Sequence, residues 1–94
     1  MLDRQVAEDY ASWFRCLADS TRIQILHLLA ANDGPMTVGQ IVQQVGVGQS
    51  TVSHHLKVLA EAGLVISERR GRNVWYAVVP AALEALRGAL APCG

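Results

Sequence analysis

Residues 46–76 read GVGQSTVSHHLKVLAEAGLVISERRGRNVWY. Gly46-Val47-Gly48 is a turn, and a short helix follows over residues 49–62. Its apolar positions Val52, Leu56 and Leu59 recur at i, i+4 and i+7, a helical period. Gly63 stops the helix, as glycine does by accepting a left-handed backbone. Residues 64–68 and 74–79 are strand-like, and Arg70-Gly71-Arg72-Asn73 is the hairpin turn between them. Arg69, Arg70 and Arg72 crowd that turn. The order helix, basic hairpin, aromatic strand is that of a helix-turn-helix with a β-hairpin wing.

At about 100° per residue, Val52, His55, Leu56 and Leu59 share one side of the helix. Ser50, Ser53, His54 and Lys57 share the other, with Gln49 and Thr51 at its leading end. Short polar side chains let a helix axis approach base edges. Gln can pair with adenine, and Ser and Thr can reach several edges. Gly48 leaves backbone N–H groups free to meet a phosphate. The same face could be an ordinary solvated surface, but such surfaces are usually rich in Glu and Lys. These residues, with Arg70 and Arg72 reaching the minor groove or flanking phosphates, are the expected contacts to double-stranded DNA. On an isolated hairpin, the arginines would instead serve to protect an edge strand.

Working outward, residues 4–17 place Val6, Tyr10, Trp13, Phe14 and Leu17 at helical spacing. This stripe is wider than a terminal helix needs for its own domain, and it reads as a dimer seam. Asp19-Ser20 breaks and caps. Residues 21–31 are apolar almost all round, so this helix is central, and His27 within it reads as a buried or half-buried histidine. Asn32-Asp33-Gly34-Pro35 is a turn. Thr37 with Gln40 fits a capping box for a short helix with Val38, Ile41, Val42 and Val45 inward. Pro80 opens a last helix, whose stripe is Leu83, Leu86 and Leu90. The expected fold is mainly α with a small β-hairpin, in the order α-α-α-α-β-β-α. Residues 1–94 form one domain whose first and last helices make the dimer interface through Tyr10, Trp13, Leu83, Leu86 and Leu90.

The composition agrees. The chain has 94 residues, 51% apolar and only 17% charged, which is a high apolar share for so small a domain and points to a two-fold partner. Net charge is zero, which argues against a general polyanion binder. Between Asp33 and Glu61, however, there is no acid at all, so local DNA contact with a modest salt dependence remains open. No catalytic constellation stands out, so an enzyme is not expected. There is no signal peptide, no membrane-spanning run and no CxxC, and the chain reads as cytoplasmic with reduced thiols.

His54 and His55 diverge on a helix and cannot chelate one metal together. His55 is expected to hydrogen-bond within the fold. Cys16 and Cys93 read blandly as a small core hydrophobe and an inert terminal thiol. If the first and last helices meet in the seam, the two thiolates could instead bind a soft metal or metalloid ion such as arsenite, or form a redox disulfide.

The chain resembles the ArsR/SmtB family of winged-helix transcriptional repressors. The matching pieces are Phe14-Arg15-Cys16-Leu17-Ala18-Asp19-Ser20-Thr21-Arg22-Ile23, Gln49 through Leu56, Leu59 through Val65, and Gly71 through Tyr76. The resemblance implies a homodimer with its first and last helices at the interface. It also implies a palindromic operator over the chain's own promoter, and release by a metal, metalloid or redox signal. Two of the family's metal sites are not matched. Thr37-Val38-Gly39-Gln40 stands where many members carry a Cys-Val-Cys motif, and the last helix offers Glu84 but no His. Cys93 matches one redox position; Cys16 lies about a helix before the other.

Two further readings stay open at this point. One is a DNA-binding regulator with inert cysteines, controlled by abundance or a protein partner. The other is a winged-helix protein-interaction module that does not bind DNA, supported only by the low net charge.

Overall fold

The computed structural model describes residues 1–89. Leu90 and Cys93, expected in the seam and at a thiol site, lie outside the described residues. The order is α1 (Arg4–Cys16), α2 (Ser20–Ala31), β1 (Met36–Thr37), α3 (Val38–Val45), α4 (Gln49–Glu61), β2 (Val65–Arg70), β3 (Asn73–Val78) and α5 (Pro80–Ala89).

The helix starts are set by local side chains. Asp3 accepts from the Gln5 backbone N–H at 2.7 Å. Asp19 accepts from the Arg22 backbone N–H at 3.1 Å. The capping box at α3 is complete: the Gln40 N–H donates to Thr37 Oγ1 at 3.2 Å, and the Thr37 N–H donates to Gln40 Oε1 at 3.0 Å. Helix α4 ends in a paired cap. The Gly63 N–H donates to the Ala60 carbonyl and the Leu64 N–H to the Leu59 carbonyl, both at 3.0 Å. This Schellman geometry needs a left-handed residue, and Gly63 has φ +80°.

The sheet has three antiparallel strands in the order β1-β3-β2. The sequence reading lacked β1. It is two residues long, pairing Met36 with Tyr76 and Thr37 with Trp75. So short a strand is defined by its distant partner and carries no period of its own. The hairpin is also longer at its tip than expected, since Arg70 pairs with Asn73. Gly71, at φ +63°, lets a two-residue turn close the strands.

The core lies between α2, α3, α4 and the base of the hairpin. Ile25, Ile41, Val52, Leu56, Leu59, Leu64 and Val65 are its largest fully buried side chains. Each such side chain contributes about 1.5–3 kcal/mol on burial. Helix α1 is pinned beside it: the Trp13 indole N–H donates to the Ala62 carbonyl at 2.8 Å. Tyr10 leans on Trp13 with ring centroids 5.8 Å apart.

His27 corrects the sequence reading, for it is exposed. Helix α2 buries Ile25, Leu26 and Leu29, and His27 falls on the other side. There it lines an open, largely apolar groove of about 260 Å³ with Ile23, Leu26 and Leu83. An all-round apolar helix does not reveal which side its own domain covers. Ile23, on this side, is 51% exposed, so a large apolar group stays in water there, as does Phe14 of α1 at 41%.

Two substitutions check these termini. Gly63→Ala meets no neighbour within 4 Å, so its cost is backbone strain alone, about 1 kcal/mol in urea unfolding. The pKa of Asp19 is lowered from its ordinary value, chiefly by the Arg22 backbone N–H; burial opposes this, and the positive charge that His55 takes on in acid adds a lesser lowering. A carboxyl with a lowered folded pKa stabilises above its unfolded value and ceases to as pH falls through the folded one. The stability margin of the wild type over Asp19→Asn should therefore close as pH falls through and below the carboxylate range.

Candidate nucleic-acid interface

Helix α4 divides cleanly. Val52, His55, Leu56 and Leu59 are buried. Gln49, Ser50, Thr51, Ser53, His54 and Lys57 are all exposed. The helix starts at Gly48 with no side-chain cap, so its first N–H groups face outward with no side-chain acceptor. The other three helices with described N-caps each carry a side-chain acceptor there. The N-terminal end of α4 carries the positive end of the helix dipole, which favours an anion.

The wing meets this end of the helix. Gln49, Arg72 and Asn73 line a cleft of about 300 Å³ together with Thr37 and Gly39 at the start of α3. Three elements thus converge: two helix starts and the hairpin tip. The pairing of β1 with β3 brings them together, because it ties the residue before α3 to the strand after the wing turn. Sequence reading did not place Thr37 or Gly39 at this site, since it lacked β1.

The arginines separate. Arg70 donates to Glu68 Oε2 at 3.1 Å, and its guanidinium lies 5.8 Å from the Trp75 ring. It occupies the hairpin face that carries Ile66, Trp75 and Ala77. Both members of the Arg70–Glu68 pair are more than half exposed, so the pair is weak and can be exchanged for another anion. Arg72 and Lys57 have no ion-pair partner among the described residues. The cationic part of the cleft is therefore Arg72.

Beneath the exposed face lies a polar contact that the sequence did not disclose. Arg22 Nε donates to His55 Nδ1 at 3.1 Å, and Arg22 Nη1 donates to the Cys16 carbonyl at 2.8 Å. The expectation that His55 bonds within the fold is met; its partner, 33 positions away, could not be named from spacing.

Of the seam residues, Tyr10, Trp13, Leu83 and Leu86 are half-buried within their own chain. Phe14 and Ile23 are the more exposed apolar groups on α1 and α2. Cys16, at 7% exposure, belongs to the apolar core. Among the described residues, no three His, Cys, Asp or Glu side chains cluster as a closed metal site requires. No described helix is long and apolar enough to cross a membrane.

The family model for bacterial regulatory proteins of the arsR family matches residues 19–67, just over half of the chain. The HTH-type transcriptional regulator NmtR of Mycobacterium tuberculosis is 40% identical over 77 residues, 82% of this chain; the chain spans only 62% of that protein's length. The transcriptional repressor SdpR of Bacillus subtilis is 32% identical over 71 residues, covering 76% of this chain and 77% of that one. Among solved structures, the chain is similar to the homodimeric winged helix-turn-helix DNA-binding domain of a possible ArsR-family transcriptional regulator from Mycobacterium bovis. The TM-score is 0.73 at 32% identity, over 93% of this chain and 79% of that one. The family and these relatives are regulators of transcription, not enzymes. With its three-stranded wing sheet behind α3 and α4, the chain is a winged helix-turn-helix protein and belongs to the arsR family of bacterial regulatory proteins.

Proposed function

We propose that the chain is a cytoplasmic, homodimeric repressor that binds a palindromic operator in double-stranded DNA. One observation carries the reading: the uncapped start of α4, through Gln49 at the head of its exposed face, shares a cleft with Arg72 of the wing. Gln49, Ser50, Thr51, Ser53 and His54 read base edges, and Lys57 and Arg72 hold phosphates, with Arg70 reaching the flanking backbone. The dimer is supported by the exposed apolar groups Phe14 and Ile23, of which Ile23 shares one groove with Leu83. It is supported also by the homodimeric M. bovis relative. A two-fold dimer presents two copies of α4 and so calls for two half-sites. In this reading residues 1–94 are one domain, with the terminal helices, Leu90 included, in the seam.

The finer part of the proposal concerns the signal. A thiol-reactive agent, arsenite or an oxidant, acts at Cys16 with Cys93. Cys16 is the last residue of α1. Its burial favours a second reading, in which the thiol is a core hydrophobe and abundance or a protein partner sets the regulation.

The test is anisotropy titration of a duplex taken from the promoter before the chain's own gene. Lys57→Ala and Arg72→Ala should each weaken binding and reduce the salt slope by about one. Wild-type affinity in both variants, with the fold intact, contradicts the DNA reading. Arsenite should release the wild type and leave Cys16→Ser bound. A wild type that stays bound in arsenite and in oxidant supports the second reading of the cysteines.

A further inference from the structure

The guanidinium of Arg22 has two acceptors on different elements. The Cys16 carbonyl closes α1, and His55 Nδ1 lies on the buried side of α4. His55 is 8% exposed and is the buried polar side chain of the described core. Among the described residues, this is the one side-chain-to-side-chain hydrogen bond joining α4 to another element. Along the body of α4 the other buried contacts are apolar, Val52, Leu56 and Leu59, and the Trp13 bond to the Ala62 carbonyl holds only its C-terminal end. Apolar burial is non-directional and lets a helix roll by small angles. A two-pronged guanidinium contact has direction.

We propose that Arg22 is a positioning residue for the DNA-reading helix: it fixes the rotation of α4 about its own axis, and does so only while His55 is neutral. This rests on the DNA-binding reading above. His54, the next side chain on the outer face, has its ring centroid 5.7 Å from that of His55. A roll of the helix therefore carries His54, Ser50, Ser53 and Lys57 with it.

The chemistry makes the contact conditional. To accept from Arg22 Nε, His55 must keep the Nδ1 lone pair and carry its proton on Nε2. A second proton turns both nitrogens into donors. Arg22 then loses an acceptor, and two cations face each other in a buried place. The charged groups around His55 are Arg22 and Asp19 from the start of α2, and His54 from α4 itself. The Asp19 carboxylate attracts a charged His55, but it cannot restore the acceptor that Arg22 loses. In the free chain α4 can turn to relieve the clash. Bound to DNA it cannot, because its outer face is in register with base edges. Protonation of His55 thus opposes binding, and binding expels that proton.

The experiment is anisotropy titration of the own-promoter duplex and a scrambled duplex, from about pH 8 to about pH 5.5, a range that spans histidine titration. The chains are the wild type, His55→Asn and Arg22→Met. Asn places Oδ1 where Nδ1 stood, so it accepts from Arg22 but does not titrate. Comparison with His55→Asn also cancels effects of His27 and His54, which both chains share. On acidification the wild type should lose about tenfold in affinity relative to His55→Asn, the scale of one hydrogen bond to a charged group. Arg22→Met should be about tenfold weaker than the wild type at the alkaline end, with its dimer and helicity intact. Parallel pH profiles for the wild type and His55→Asn, or wild-type affinity in Arg22→Met, overturn the proposal. Should Arg22→Met fail to fold, the first comparison decides alone. If the wild type at alkaline pH does not prefer the promoter duplex over the scrambled one, the DNA reading itself fails and the proposal falls with it, before any variant is compared.

Discussion

Helix α4 has to be gripped on one side and left bare on the other, and the rest of the chain is arranged to satisfy both demands. Val52, Leu56 and Leu59 reach 0% exposure, a degree of burial that a thirteen-residue helix obtains only from neighbours on several sides. Helix α2 supplies Ile25, α3 supplies Ile41, and the segment after Gly63 supplies Leu64 and, at the start of β2, Val65. The paired hydrogen bonds at Gly63 turn the chain so that Leu64 closes over the end of the helix. Trp13 then fastens α1 to the same end through the Ala62 carbonyl. The exposed face plays no part in this packing. Its side chains are free to be chosen for what they touch outside the protein.

The second structural requirement is that the wing and the start of α4 face the same way. The two-residue strand β1 does this. Met36 is buried opposite Tyr76, and Thr37 both pairs with Trp75 and caps α3. One threonine thereby fixes the start of a helix and the place of the hairpin relative to it. Arg72 comes to lie beside Gln49 as a consequence. The groove that holds Ile66, Trp75 and Ala77 shares no lining residue with the cleft.

Much of this was legible in the sequence because its signals are local. The division of α4 follows from the i, i+4, i+7 spacing of Val52, Leu56 and Leu59. The caps at Asp19, Thr37 and Gly63 each involve residues a few positions apart. What escaped the sequence is non-local. Strand β1 has too few residues to show a period. The bond from Arg22 to His55 joins residues that no spacing rule connects. His27 was misplaced because α2 is apolar on nearly every side. Composition predicts burial for all of it, whereas the fold of one chain covers only the side with Ile25, Leu26 and Leu29. That discrepancy is itself informative, since the uncovered side is the one the proposed dimer would use.

The central claim is that the bare face of α4 and the wing turn together form the surface that meets DNA. Amide chemical-shift mapping of the isotope-labelled chain, titrated with its promoter duplex, tests this most directly. The account predicts shifts concentrated at Gln49, Ser50, Thr51, Ser53, His54 and Lys57, with a second group at Gly71 and Arg72. Unmoved amides there, or shifts centred instead on Ile66, Trp75 and Ala77, would contradict it and mark the outer hairpin face as the working surface of a protein-interaction module.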